Sequence, residues 1–320
     1  MNSRIPICLL LATSFAATPA YAQDYPSKPI KIVVPLAAGG VADIVTRVFS
    51  AKIGEDGKTT VVVENRAGGA GIPGAESVAK SPADGYTLLT GFHGVLSILP
   101  HLQKLPYDPA KELVPVINMI MVPNILTVHP SVPATNLKEL IAYAKANPGK
   151  LTYASQGVGT TGHIGGELLK FAAGIDITHV PYKGAPPAQQ DLVAGHVLMM
   201  FDVVPLAIAA IKDGRVRAIG VATKDRAGVL PDVPTLAEQG EPIELTAWFG
   251  LMAPAGTPKE VIGWLNREAN RVLGTDEVRA RFSGQGGVVP LGTPEAFGAH
   301  IAAETKKFRE VIQKANIKIQ

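Results

Sequence analysis

The sequence has one cysteine, few aromatic residues and almost no excess of charge. Cys8 lies in the N-terminal leader, and phenylalanine, tryptophan and tyrosine make up 6% of the 320 residues. The rest of the chain therefore has no disulfide, no zinc–thiolate site and no cysteine nucleophile. The net charge is +3 without any run of lysine or arginine, which argues against a nucleic-acid partner.

The N-terminus carries the features of an export signal. Arg4 precedes an apolar run over residues 5–17, and Ala20, Tyr21 and Ala22 follow it. This pattern predicts a secretory signal peptide over residues 1–22. The run is too short, and too interrupted by hydroxyl side chains, for a transmembrane helix. We therefore expect an exported protein.

Strands and helices alternate along the remaining chain. IKIVVPL at residues 30–36 reads as a buried strand, and a glycine turn leads from it into the helical pattern VADIVTRVFSAKIG at 41–54. The same order recurs several times, which predicts an α/β fold with mostly parallel sheets.

Two apolar, extended stretches at residues 122–130 and 243–254 bracket a middle block of domain size. Neither resembles a flexible linker. They predict two lobes joined by a pair of crossing strands, with lobe 1 formed by residues 23–124 and 246–320 and lobe 2 by residues 125–245. The hinge is expected near residues 124–127 and 246–249.

Glycine-rich turns follow several of these strands. PLAAGGVAD at residues 35–43 opens a helix, where unpaired N–H groups and the helix dipole favour an anion. A plainer alternative is a tight turn in which Asp43 only stabilises the first helical turn. Gly157, Gly159 and Gly162 have the G-x-G-x-x-G spacing of a dinucleotide site, but Asp176 precedes the next strand instead of ending it. The nucleotide interpretation is therefore disfavoured, and no cofactor is expected.

Catalytic signatures are weak. The sequence has no G-x-S-x-G elbow, no H-E-x-x-H motif and no histidines at metal-binding spacing. Ser155, His163 and Asp202 could assemble a hydrolytic triad, which leaves an exported hydrolase as the alternative to a binding protein. Otherwise His163 and His179 are expected to be structural, and no catalytic or metal-binding residue is predicted.

In combination, several segments resemble the Bug family of periplasmic solute receptors, which serve tripartite tricarboxylate transporters. The matching landmarks are YPSKPIKIVVPLAAGG, VVVENRAGGAGIPGAESVAKSPADGYTLL, YASQGVGT, HVPYKGAPPAQQDLVAGHV and LPDVPTLAEQG. The resemblance implies a non-catalytic, two-lobed periplasmic binding protein of the type II-like class that closes around a small organic carboxylate. It further implies a monomer whose partners are the membrane subunits of a transporter, or alternatively a membrane sensor protein.

Carried over by position, the resemblance also implies the ligand-binding residues. These are Ala38, Gly39, Gly40, Asp43, Ser155, Gly157, Gly159, Thr160, His163 as a support, and Asp202. Asp202 would meet the far end of the ligand or, alternatively, cap the following helix. The first loop departs from the family pattern at Leu36 and at Val41 and Ala42, which makes it more apolar.

Overall fold

The computed structural model describes residues 25–55 and 59–318, so the predicted signal peptide lies outside the described residues. The strands are β1 (Ile30–Val34), β2 (Val61–Asn65), β3 (Thr87–Phe92), β4 (Leu113–Val128), β5 (Leu151–Ser155), β6 (Ile177–Pro181), β7 (Met199–Val203), β8 (Arg217–Val221) and β9 (Thr246–Pro254). The helices are α1 (Val41–Gly54), α2 (Ile72–Ala79), α3 (Leu99–Leu102), α4 (Pro109–Glu112), α5 (Leu137–Ala146), α6 (Thr161–Ala173), α7 (Ala185–Ala194), α8 (Val204–Lys212), α9 (Lys259–Leu273), α10 (Asp276–Ser283) and α11 (Pro294–Lys314).

Two groups of strands form the two lobes. In lobe 1 the order is β2-β1-β3-β9-β4, and in lobe 2 β4 lies between β8 and β7, followed by β5 and β6. β1 is buried except at Lys31, which explains why its other four residues are isoleucine or valine. Each parallel strand leads into a helical segment, in β7 without an intervening turn, so the helix starts collect at the carboxyl ends of the strands.

β4 passes from one lobe to the other. Its first part pairs with β9 as far as Pro123 and Thr246, and from Asn124 onwards it pairs with β7 and β8. The chain returns through Leu245, whose N–H donates to the carbonyl of Ala222 in lobe 2. Every pairing made by β4 and β9 is antiparallel, whereas β1, β2, β3, β5, β6 and β7 otherwise pair in parallel. The expectation of mostly parallel sheets is therefore wrong, because the crossing strands run against their neighbours.

The C-terminal helix α11 packs against both lobes. Phe297 near its start belongs to the apolar core of lobe 1, together with Trp248. Phe308 and Ile312, further along the helix, belong to the core of lobe 2, together with Tyr153. The segment 246–320, predicted as a part of lobe 1, thus also contributes to the core of lobe 2.

Candidate ligand site between the lobes

A small cavity of about 40 Å³ lies where the loops of the two lobes meet. It is lined by Leu36, Ala37, Gly40, Val41, Ala42, Phe92, His93, Gln156, Thr160, Thr161, Ala185, Val203, Leu206, Ala247 and Phe249. A space of this size holds about three water molecules. It adjoins an outer cleft of about 450 Å³, and Leu36 and Gln156 line both. We call these two spaces the inner cavity and the outer cleft.

Four helices begin at the inner cavity, one from lobe 1 and three from lobe 2. Gly40, Thr160 and Val203 are the N-cap residues of α1, α6 and α8, and Ala185 is the first residue of α7. The starts of α1, α7 and α8 have no side-chain cap. Proline has no N–H, so α7 offers the N–H of Ala185, and α8 offers those of Val204 and Leu206. These groups and the first N–H groups of α1 have no partner within their helices, so they remain available to a ligand. Such convergence favours a bound anion.

The side chains that line the inner cavity carry no formal charge in this arrangement. Apolar groups such as Leu36, Phe92 and Phe249 form much of the wall. The one titratable side chain there, His93, is kept neutral because burial lowers its pKa to about 3. The balancing charge for an anion therefore comes from backbone dipoles in a poorly solvated space, where such interactions are strong.

In lobe 1, residues 35–40 form a loop that Asp43 holds in place. The buried carboxylate of Asp43 accepts hydrogen bonds from the Gly39 N–H (2.9 Å) and from Arg47 Nε (2.9 and 3.0 Å). Arg47 also donates to Asn65, which in turn donates to the Leu36 carbonyl. Burial alone would raise the pKa of Asp43, but the bonds from Arg47 and Gly39 outweigh it and lower the pKa. Asp43 thus orders the loop from behind.

In lobe 2, residues 155–160 form the facing loop, which neutral side chains hold. Ser155 Oγ accepts from the Gly157 N–H (3.1 Å) and is hydrogen-bonded to His179 Nε2 (2.7 Å). Thr160 Oγ1 donates to the Gly157 carbonyl, and the Gly159 N–H donates to His163 Nδ1 (3.3 Å). The N–H groups of both glycines are thus engaged within the loop, which leaves the start of α6 to face the cavity.

A stack of three rings lies beneath the lobe 2 loop. His179 lies between Tyr153 and His163, with ring centroids 4.7 and 4.5 Å away. Burial, followed by the proximity of His163, lowers the pKa of His179 to about 3, and burial also lowers the pKa of His163. Both imidazoles are therefore neutral supports at neutral pH.

Asp202 lies at the end of β7 and is fully buried. Its Oδ1 accepts from the Val203 N–H (2.8 Å) and its Oδ2 from Gln189 Nε2 (3.2 Å). Burial raises the pKa of Asp202 to about 7, although these two bonds act in the opposite direction. The N-cap position of α8 belongs to Val203, and no side chain caps that helix.

The Ser155–His163–Asp202 triad of the alternative hydrolase interpretation is not assembled. Ser155 contacts His179 instead of His163, while Asp202 contacts Val203 and Gln189. Ser155 is also completely buried, so its hydroxyl does not face the cleft. The alternative triad does not form because β5 and β6 are direct neighbours: His179 lies opposite Tyr153, two residues along β5 from Ser155, and its Nε2 reaches the Ser155 hydroxyl.

The structure separates the predicted binding residues by position. Gly40 and Thr160 line the inner cavity and Gly157 lines the outer cleft, while Ala38 and Gly39 are exposed beside them. The remaining predicted residues support the loops or β7, as described above: Asp43, Ser155, Gly159, His163 and Asp202.

Sequence reasoning missed His93, Gln156, Thr161 and Ala185, which all line the inner cavity. His93 directly follows β3, so its place at the carboxyl end of a buried strand was a usable signal.

The two lobes touch across the cleft. The Ala37 N–H of lobe 1 donates to the Lys183 carbonyl of lobe 2 (3.2 Å). Beside it, a Cβ at Gly184 would lie 2.8 Å from Ala37 Cβ. The lobes are therefore closed around the inner cavity.

The described residues include no group of three or more histidine, cysteine, aspartate or glutamate side chains placed to hold a metal ion. Over the same part of the chain, every helix is too short or too polar to cross a membrane.

A sequence profile of the family described as tripartite tricarboxylate transporter family receptor matches residues 45–317. The chain belongs to this family. The resemblance noted in the sequence is thereby confirmed, and the matched region includes most of both lobes. Among the relatives of this receptor, protein BugT of Bordetella pertussis is 35% identical over 320 residues, covering 98% of this chain and 97% of BugT.

Two solved structures resemble this receptor closely. The structure described as R. palustris Rpa4515 with adipate has a TM-score of 0.88 and 36% identity, and covers 92% of this chain and 99% of that one. MatC from Rhodopseudomonas palustris with bound malate has a TM-score of 0.86 and 33% identity, covering 90% of this chain and all of MatC. The predicted two-lobed binding-protein fold is confirmed.

Proposed function

We propose that this receptor captures a small organic carboxylate between its lobes in the periplasm and delivers it to the membrane subunits of a tripartite transporter. The observation that carries the proposal is the convergence of four helix starts on one cavity without a charged side chain. Relatives described with adipate and malate support the same ligand class. Delivery to a transporter, instead of a sensor protein, agrees with the family to which the chain belongs.

Among the predicted residues, we propose that Gly40 and Thr160 lie next to the ligand, and that Asp43, Ser155 and His163 act by holding the loops. Ala38, Gly39, Gly157 and Gly159 belong to the same two loops, and Asp202 lies behind Val203.

Ligand entry requires the lobes to part. The inner cavity holds only a few waters, and the Ala37–Lys183 hydrogen bond joins the two lobes beside it. We propose that the lobes rotate about the crossing segments, where β4 changes partner at Asn124 and the chain returns at Leu245. Closure then removes water and strengthens each amide contact with the ligand.

A calorimetric and thermal-shift screen of mono- and dicarboxylates tests the function. We expect at least one carboxylate to bind and to raise the unfolding temperature. The Ala185→Asp variant places an anion at the start of α7 inside the cavity and should weaken binding roughly 100-fold or more, because like charges then share a poorly solvated site.

The matched control is Ala296→Asp, which places the same charge in the exposed first turn of α11. It should leave affinity unchanged, since this helix start does not line the cavity. A receptor that responds to none of the carboxylates, or an Ala185→Asp variant that binds normally, would contradict the proposal.

A further inference from the structure

Two buried polar atoms at the inner cavity have no hydrogen-bond partner among the described residues. They are Nε2 of His93, from lobe 1, and Oε1 of Gln156, from lobe 2. His93 is 3% exposed and Gln156 is 8% exposed. A buried polar atom without a partner costs about 1 to 3 kcal/mol, so such atoms require an explanation.

His93, which lines the cavity, carries a buried hydrogen-bond donor. Its Nδ1 faces the Trp248 N–H at 3.5 Å, and a backbone N–H can only donate, so Nδ1 is the unprotonated nitrogen. Burial keeps the ring neutral, which places the single ring proton on Nε2. Edge-on packing against Phe92 and Phe249 fixes the direction of this N–H.

Gln156 presents a hydrogen-bond acceptor. Its Nε2 donates to the Phe201 carbonyl (3.0 Å), which settles the orientation of the amide and leaves Oε1 free. Oε1 lies close against the first turn of α6, since a Cβ built on Gly162 would be 2.3 Å from it. The amide therefore has little room to turn away.

We propose that the ligand is a hydroxycarboxylate whose hydroxyl accepts a hydrogen bond from His93 Nε2 and donates one to Gln156 Oε1. This inference rests on the proposed function and names the substrate class for the same site. The carboxylate lies at the helix starts, and the hydroxyl joins one lobe to the other.

The charged groups of organic and amino acids each satisfy only one of the two atoms. A carboxylate oxygen accepts from His93 but repels Gln156 Oε1, because both are acceptors. An ammonium group donates to Gln156 but offers nothing to the His93 donor. A hydroxyl does both, and in a site that excludes water its loss leaves two buried groups unpaired.

Matched pairs of ligands test the inference by calorimetry on the full receptor: succinate with malate, and propionate with lactate. We expect the hydroxylated member of at least one pair to bind roughly tenfold or more tightly than its parent. His93→Phe and Gln156→Met should each reduce that preference towards one, whereas His93→Gln, which keeps an N–H donor, should restore part of it.

His300→Phe is the matched control. His300 also packs against Trp248 and also has a buried Nε2 without a partner among the described residues, but it does not line the inner cavity. Its replacement should leave the preference unchanged. If the cavity variants do not fold, the ligand pairs measured on the unaltered receptor decide alone.

The outcomes separate this inference from the proposed function. If the parent acids bind as tightly as the hydroxy acids, the inference is wrong and the carboxylate receptor stands. If His300→Phe lowers the preference as much as His93→Phe does, the effect comes from packing and the assignment of His93 fails. If no carboxylate binds, both proposals fail.

Discussion

The two loops that face each other across the cleft are built from different chemistry. The lobe 1 loop, residues 35–40, depends on an ion pair between Asp43 and Arg47, whose side chain is half exposed. The lobe 2 loop, residues 155–160, depends on Ser155 and on neutral histidines stacked in the interior. Both arrangements leave the starts of helices facing the cavity.

The difference shows that an anion site made from backbone groups has two separate requirements. The helix starts supply the binding groups, and the side chains behind them only fix the loop. Those supports can therefore be charged where solvent is near, or neutral where the loop is buried, without changing what the ligand meets. The lobe 1 loop should accordingly respond to salt, and the lobe 2 loop to packing and acid.

The largest difference in stability between the two loops should appear when one glycine near each loop is replaced by alanine. A Cβ at Gly166 would lie 2.1 Å from the Tyr153 ring, at the base of the ring stack, so Gly166→Ala should lower the free energy of unfolding by about 3 kcal/mol. At Gly40 the nearest atoms would be at 3.5 and 3.9 Å, and Gly40→Ala should change it by less than about 0.5 kcal/mol. Urea unfolding of the two variants measures both values.

If Gly166→Ala and Gly40→Ala lower the free energy of unfolding equally, the ring stack beneath the lobe 2 loop can move more than its close contacts indicate. Gly214→Ala is a useful reference, since a Cβ there meets nothing within 4 Å and only the positive φ opposes it.

Much of the fold follows from local pattern in the sequence. An apolar run bounded by proline and glycine predicts β1, and α1 begins and ends at the predicted residues. The pairing of β4 with β9 involves residues more than a hundred positions apart, and no local pattern reports its direction. For the same reason the predicted parallel character of the sheets is wrong.

The candidate site was less predictable than the fold. The glycine turns mark where helices begin, but they do not show which amides are already engaged, as those of Gly157 and Gly159 are. The choice between His163 and His179 as the partner of Ser155 depends on the register of β5 and β6. His93 carries no motif: its place directly after β3 marks its position, and only the structure shows that its buried Nε2 has no partner among the described residues.

The second prediction uses acid to distinguish the two supports. The pKa of His179 is lowered to about 3, so between about pH 6.5 and pH 3 the unfolded chain binds a proton that the folded protein does not. Stability therefore falls as the pH falls through this window. His179→Phe removes that dependence: it should cost roughly 1 to 2 kcal/mol at pH 7, through the lost bond to Ser155, and clearly less at pH 5.

Thermal unfolding of the unaltered receptor and of the His179→Phe variant across this pH range measures the difference in their stability. If this stability difference is the same at pH 7 and at pH 5, His179 accepts a proton in the folded state. His196→Phe serves as a control, because this histidine is exposed in lobe 2 and lies outside the stack.

The smallest effect should come from the lobe 1 ion pair, and salt should reveal it. Asp43→Asn keeps an oxygen that accepts from the Gly39 N–H but loses the charge that faces Arg47. Because Arg47 is half exposed, we expect a cost of about 1 kcal/mol at about 0.05 M NaCl and a smaller one at about 0.5 M. Ser155→Ala, the comparison in lobe 2, should cost about 1 to 3 kcal/mol at both concentrations, since no charge is involved.

Urea unfolding of the two variants at the two salt concentrations gives the four values. If the cost of Asp43→Asn does not change with salt, the carboxylate acts on the loop only as a neutral acceptor would, and the two loops are then supported in the same way.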